Sequence, residues 1–105
     1  MSSRAPLTIH EAALREIDAA LEWYQREGPS VVVRLRREIS ATIDRARDFP
    51  RSGAPARVND PGDLRLFPLR GFPFVIVTAL EADARMVVAF AHTRREPGYW
   101  KARIG

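Results

Sequence analysis

The densest group of chemically capable side chains lies near the C-terminus, in Ala91-His92-Thr93-Arg94-Arg95-Glu96-Pro97-Gly98-Tyr99-Trp100-Lys101-Ala102-Arg103. It combines an imidazole, three guanidiniums, the only lysine and two large aromatic rings. Such a set can grip phosphate, stack a base and move a proton. A histidine at the end of a strand is well placed for surface chemistry. The same residues also fit a structural part, with Tyr99 and Trp100 pinning the tail onto helices and the arginines solvated. Arg65 and Arg70 bound a run in which Leu64 and Leu66 alternate with Arg65. Arg65 is therefore predicted to face away from those leucines, on the open face of a sheet. There it would meet a phosphate or simply remain in water.

Other chemistries are poorly supplied. The chain has no cysteine, which excludes disulfides and thiolate zinc sites. Two histidines, His10 and His92, are too few for an all-protein transition-metal centre, and no metal or cofactor is expected. No Gly-rich phosphate loop and no Ser-His-Asp or Cys-His order is present. The acids Glu11, Glu16, Asp18, Glu22 and Glu27 fall along one predicted helix. They read as a solvated face paired with Arg15 and Arg26 rather than as a general acid/base pair.

Charge is unevenly placed. Of 17 basic residues, 16 are arginine, and the net charge is +4. Residues 34–57 and 85–105 each carry +4, whereas residues 1–33 and 58–84 each carry −2. This alternation suits either solvated helix faces or a basic surface that meets phosphate or an acidic partner. No apolar run approaches the roughly 18 residues of a membrane span. No signal-peptide pattern opens the chain. A cytoplasmic protein that does not contact membrane is expected.

The elements that must position these groups follow from periodicity. Residues 5–9 read as a first strand, with Pro6 at its start. Leu14, Ile17, Leu21 and Tyr24 recur at helical spacing, widened by Ala13 and Ala20. That helix starts through a Thr8/Glu11 capping box or at His10, and stops at Gly28-Pro29. Ser30 is the predicted N-cap of a second helix whose stripe is Val32, Leu35, Ile39, Ile43, Ala46 and Phe49. Thr42 falls beside that stripe, where its hydroxyl could bond the previous turn. The short link makes the two helices an antiparallel hairpin. Residues 50–63 read as loop. Three runs follow, at 64–69, 72–80 and 85–92, joined closely enough to form an antiparallel meander, with Glu81-Ala82-Asp83-Ala84 as a turn. The central run is apolar almost throughout, which predicts cover on both faces. The predicted fold is one α+β domain over residues 1–105. It is a two-layer sandwich of order β-α-α-β-β-β, with a helical hairpin on a small, mostly antiparallel sheet.

Four pieces in order add a family likeness: Glu11-Ala12-Ala13-Leu14-Arg15-Glu16-Ile17, Phe49-Pro50-Arg51-Ser52-Gly53, Leu64-Arg65 with Gly71-Phe72-Pro73-Phe74, and His92 through Trp100. Over almost its whole length the chain resembles toxins of the RelE/ParE superfamily from bacterial type II toxin–antitoxin operons. The resemblance implies a cognate antitoxin that wraps and blocks the toxin. It leaves contact with DNA only indirect, through that antitoxin. RelE-like members cut mRNA on the ribosome. On that branch His92 would shuttle the proton, Arg65 would hold phosphate with Arg94 or Arg95, and Tyr99 would stack or donate. ParE-like members poison DNA gyrase, and nothing is transformed. On that branch Arg70, Arg94, Arg95, Trp100, Lys101 and Arg103 would form the target-docking surface. On either branch Arg34, Arg37 and Arg45 of the second helix would receive the antitoxin. The absence of lysine outside the tail, the Phe-Pro-Phe strand and the Pro-Gly-Tyr-Trp tail resemble the ParE-like branch more closely.

Overall fold

The computed structural model describes residues 7–56, 63–81 and 84–104. The expected strand start at Ala5 and Pro6, residues 57–62 of the expected loop, and turn residues Ala82 and Asp83 lie outside the described residues.

The first strand, β1 (Leu7–Ile9), runs straight into helix α1 (Glu11–Gln25). His10 is the N-cap: its backbone is extended and its Nδ1 accepts the Ala12 N–H at 3.0 Å. The imidazole thus satisfies one of the orphan donors of the first turn. Helix α2 spans Pro29–Asp48, and its N-cap is Gly28, not Ser30. Pro29 explains the shift. Its missing N–H needs no acceptor and its fixed φ suits the first helical position, so the helix begins before the serine. Gly28 adopts φ +131°, a conformation open to glycine, and so lets the chain reverse within a few residues. The Thr42 hydroxyl bonds the Glu38 carbonyl at 2.7 Å, as its position beside the stripe suggested.

The sheet has the order β1-β5-β4-β3-β2. Strands β3 (Asp63–Pro68), β4 (Phe74–Glu81) and β5 (Ala84–His92) form the antiparallel meander, and β1 adds to β5 in parallel. Strand β2 (Ala54–Pro55) is an addition to expectation: two residues of the predicted loop pair with Leu66 and Arg65. Its proline suits the outermost position, where an N–H is not required. A bulge at Val88 moves the register from Val77 opposite Ala89 to Thr78 opposite Val87.

Two apolar clusters sandwich the sheet. Ile17, Leu21, Leu35 and Ile39 of the hairpin meet Phe67, Leu69, Ile76, Val87 and Phe90 on one face. Leu64, Val77, Ala79, Val88, Ala89 and Ala91 form the other with Trp100. The double cover expected for the central strand is therefore present, and the tail supplies the second layer of it. Two stripe residues fall outside: Leu14 is 45% and Phe49 65% exposed. The hairpin meets the sheet through Ala13, Ala20 and Ala46, whose small side chains bring the helices close.

Candidate functional site

Beyond Val87, strand β1 no longer covers β5, and backbone groups on that edge need partners. Side chains provide them. The Phe90 N–H donates to Glu16 Oε1 at 3.0 Å, and the Val88 carbonyl accepts from Arg103 Nη1 at 2.9 Å. The same two side chains form a bidentate ion pair, with Nη1–Oε1 at 2.9 Å and Nη2–Oε2 at 3.1 Å. Together they replace the missing strand with a carboxylate–guanidinium bridge. Tyr99 donates its hydroxyl to Glu16 Oε2 at 2.7 Å. Arg95 lies 4.0 Å from the Tyr99 ring centroid and 3.7 Å from the same carboxylate oxygen.

These contacts fix the protonation states. Burial raises the Glu16 carboxyl, but hydrogen bonds from Arg103, Tyr99 and the Phe90 N–H outweigh it and hold the group below the usual carboxylate range. Burial and the bond to Glu16 push the Tyr99 phenol well above its ordinary value, so it is a fixed donor at neutral pH. The bond to Glu16 also raises Arg103.

A cleft of about 480 Å³ opens beside this network, between α1 and the end of β5. Ala19, Ala20, Trp23 and Tyr24 form one wall, Phe74 and Phe90 the floor, and Glu16, His92 and Arg95 the polar rim. His92 stands edge-on to Phe74, with centroids 5.3 Å apart. Its Nδ1 accepts the Arg94 N–H at 3.0 Å, so the neutral ring carries its proton on Nε2.

Arg65 lies elsewhere. It shares the alternation of Phe67 and Leu69, both in the helix-side cluster, while Leu64 belongs to the opposite one. Arg65 therefore lies on the helix-bearing side of the sheet, not on the open face. Both sets of its neighbours are apolar and buried, so alternation alone could not tell the faces apart. Its Nε bonds Asp63 Oδ1 at 3.0 Å and its Nη1 reaches the Gly53 carbonyl at 3.2 Å. Arg85, only 5% exposed, holds the other Asp63 oxygen at 3.2 Å. Burial raises Asp63, yet the hydrogen bonds from Arg85 and Arg65 prevail and hold its carboxyl below the usual range.

Of the three residues of the nuclease expectation, Arg65 does not converge with His92. His92 is opposite Phe74 and Arg65 opposite Thr78. Those positions on β4 are four residues apart, roughly 13 Å at a strand's rise. Tyr99 is held by Glu16, which lines the same cleft as His92. Among the residues expected to meet a target, Trp100 is buried in the second cluster and Arg103 is engaged by Glu16 and Val88. Arg94, Arg95 and Lys101 are exposed on the tail, and Arg70 is exposed on the β3–β4 turn. Arg34, Arg37 and Arg70 come together around Phe72, and Arg45 reaches the Pro68 carbonyl at 3.4 Å. Sequence reasoning missed Glu16, Asp63 and Arg85. Glu16 does carry a trace: it precedes Ile17 and follows the buried Ala13 by three positions, which puts it at the edge of the buried stripe.

The family model described as ParE toxin of type II toxin-antitoxin system, parDE, matches residues 7–97. The fold is similar to a solved structure described as the chromosomal ParDE TA system from P. aeruginosa, with a TM-score of 0.72 and 18% sequence identity. That match covers 87% of this chain and 98% of the other. No curated protein matches the sequence.

Proposed function

The chain belongs to the ParE toxin family of type II toxin–antitoxin systems, and from that premise we propose that it arrests growth by inhibiting DNA gyrase. In this reading it acts in the cytoplasm, a cognate antitoxin holds it inactive, and it meets DNA only through that antitoxin. Arg94, Arg95 and Lys101, exposed on the tail, are the basic residues presented to the target, and Arg95 joins His92 at the cleft's rim.

One observation favours gyrase inhibition over RNA cleavage. Of the two groups that would join His92 in a nuclease site, Arg65 is held by Asp63 away from the cleft, and Tyr99 is a fixed donor to Glu16 at the cleft's rim. Cleavage by a neighbouring 2′-hydroxyl needs a base, an acid and cationic charge around one phosphate. Here the carboxylate that shares the rim with His92 is Glu16, already bound by Arg103 and Tyr99. Binding needs no such convergence, and a basic rim around an aromatic cleft suits it.

The test is direct. Purified protein is expected to block gyrase-dependent supercoiling of relaxed plasmid and to leave mRNA on translating ribosomes uncut in primer extension. Discrete ribosomal cuts with supercoiling unaffected would replace this reading with the nuclease one.

A further inference from the structure

Four rings stand in order along the cleft beside α1. Phe74 and Phe90 stack with centroids 4.6 Å apart, and Tyr24 meets Phe74 edge-on at 6.2 Å. Trp23 packs edge-on to Tyr24 at 4.8 Å, yet it remains 52% exposed. A ring held this way presents apolar surface in a fixed orientation. The polar rim is more selective than the rings. Its one carboxylate, Glu16, is saturated: Oε1 accepts from the Phe90 N–H and Arg103 Nη1, and Oε2 from the Tyr99 hydroxyl and Arg103 Nη2. The rim side chains still open to a ligand are donors. Arg95 lies 3.7 Å from Glu16 Oε2, beyond hydrogen-bond reach. His92 offers its Nε2–H, because its Nδ1 accepts the Arg94 N–H. Rings below and donors above call for a flat apolar body that carries an oxygen acceptor.

We propose that this cleft receives an aromatic side chain displayed by gyrase, with Arg95 donating to the peptide carbonyl beside it and the neutral His92 imidazole as a weaker second donor. The inference rests on the gyrase reading above and names the feature of that target which the chain reads. The volume, about 480 Å³, holds a large ring together with its own peptide groups. Charge marks the occupant as protein. A nucleobase would also suit the rings, but it brings phosphates past α1. The exposed charges of that helix are Glu11, Asp18 and Glu22 against Arg15 alone. Asp18 and Glu22 directly precede the wall residues Ala19 and Trp23. They repel a nucleic-acid backbone and leave a neutral ring with its carbonyl unopposed. An aromatic anchor seated in a pocket is also the usual centre of a protein interface.

The experiment uses the full chain. Ala19 is exposed on α1, so Ala19→Trp fills the cleft from outside the core, and Trp23→Ala removes its open wall. Both are compared with wild type and with Ser40→Ala, exposed on α2, after circular dichroism establishes that each is folded. The concentration that half-blocks gyrase supercoiling should rise roughly ten-fold or more in the two cleft variants and stay unchanged in Ser40→Ala. The occupant is read separately, by NMR titration of the chain with N-acetyl-L-tryptophanamide and with deoxyadenosine monophosphate. The amide should shift the Trp23 indole and His92 resonances saturably at about millimolar concentration, and Ala19→Trp should abolish the effect. Folded cleft variants that block supercoiling as wild type does, an amide that gives no saturable shift, or a nucleotide that binds more tightly than the amide would each overturn the assignment. A wild-type chain without effect on supercoiling would sink the gyrase reading. Saturable amide binding that is lost in Ala19→Trp would then still leave the cleft standing as a site for an aromatic side chain.

Discussion

Glu16 and Arg103, 87 positions apart, meet in a bidentate ion pair that also caps the open edge of β5. The helix, the last strand and the C-terminal turn are thereby joined at one carboxylate. Tyr99 and Arg95 are held against the same group.

Removing that carboxylate should be costly. Glu16→Ala strands a guanidinium, a phenol and a backbone N–H that are all partly buried, and is expected to lower stability by about 2–4 kcal/mol. Arg15→Ala, on the exposed side of the same helix, should stay within about 0.5 kcal/mol. Urea unfolding at neutral pH measures both. Equal effects would mean that the network contributes nothing net.

Acid should weaken the fold through Glu16 and Asp63. Both carboxyls titrate lower in the folded chain than their ordinary values. Their contribution is therefore complete above the unfolded carboxylate range, about pH 4–4.5, and is lost as pH falls through the depressed folded values. Urea midpoints from pH 7 down to pH 2 should fall along that limb, and Glu16→Gln should flatten it. An acid limb of unchanged depth in Glu16→Gln would count against this account.

At the alkaline end Tyr99 acts with the opposite sign. Its folded value is raised, so its contribution is complete below the ordinary phenol range near pH 10 and is lost as pH rises above it. Tyrosinate absorbance of the Tyr24→Phe variant should appear together with unfolding, rather than before it.

Gly53→Ala tests the packing behind β2. A Cβ there would stand 2.6 Å from Phe67 Cε2 and 2.9 Å from the Leu66 carbonyl. Phe67 is 3% exposed, so neither neighbour can give way freely. A loss of about 1–3 kcal/mol is expected, seen as a lower thermal midpoint. A midpoint equal to that of wild type would show that the edge strand adapts.

His92→Ala separates the two functional readings. With gyrase as target, growth arrest should persist with little change, because the imidazole sits at the rim of a cleft and relays no proton. Loss of arrest by roughly 10²–10⁴-fold in a folded variant, accompanied by loss of ribosomal cuts, would point to general acid–base catalysis.

The helices, the meander and the fold class were legible because they follow from local rules: apolar periodicity, proline and glycine punctuation, and connections too short for any other geometry. Thr42 and His10 show how far such rules reach, since each bonds within four residues of itself. The set of arginines was equally legible as composition, and the family likeness rested on motifs spread along the chain.

What each charged side chain does was decided by tertiary structure. Glu16 looks like Glu11, Glu22 and Glu27 in sequence, yet it alone of the four lies where β1 stops short and the tail returns. Arg65 took the helix side of the sheet because both faces are apolar and covered, which leaves a period of two with no way to tell them apart. Trp100 entered a face lined by Ala79, Ala89 and Ala91, from two different strands. Arg70 joined Arg34 and Arg37 because Glu38 holds the turn. Sequence spacing sets which residues share an element. Which ions meet depends on where strands end and how elements cross, and only the folded chain brings those positions together.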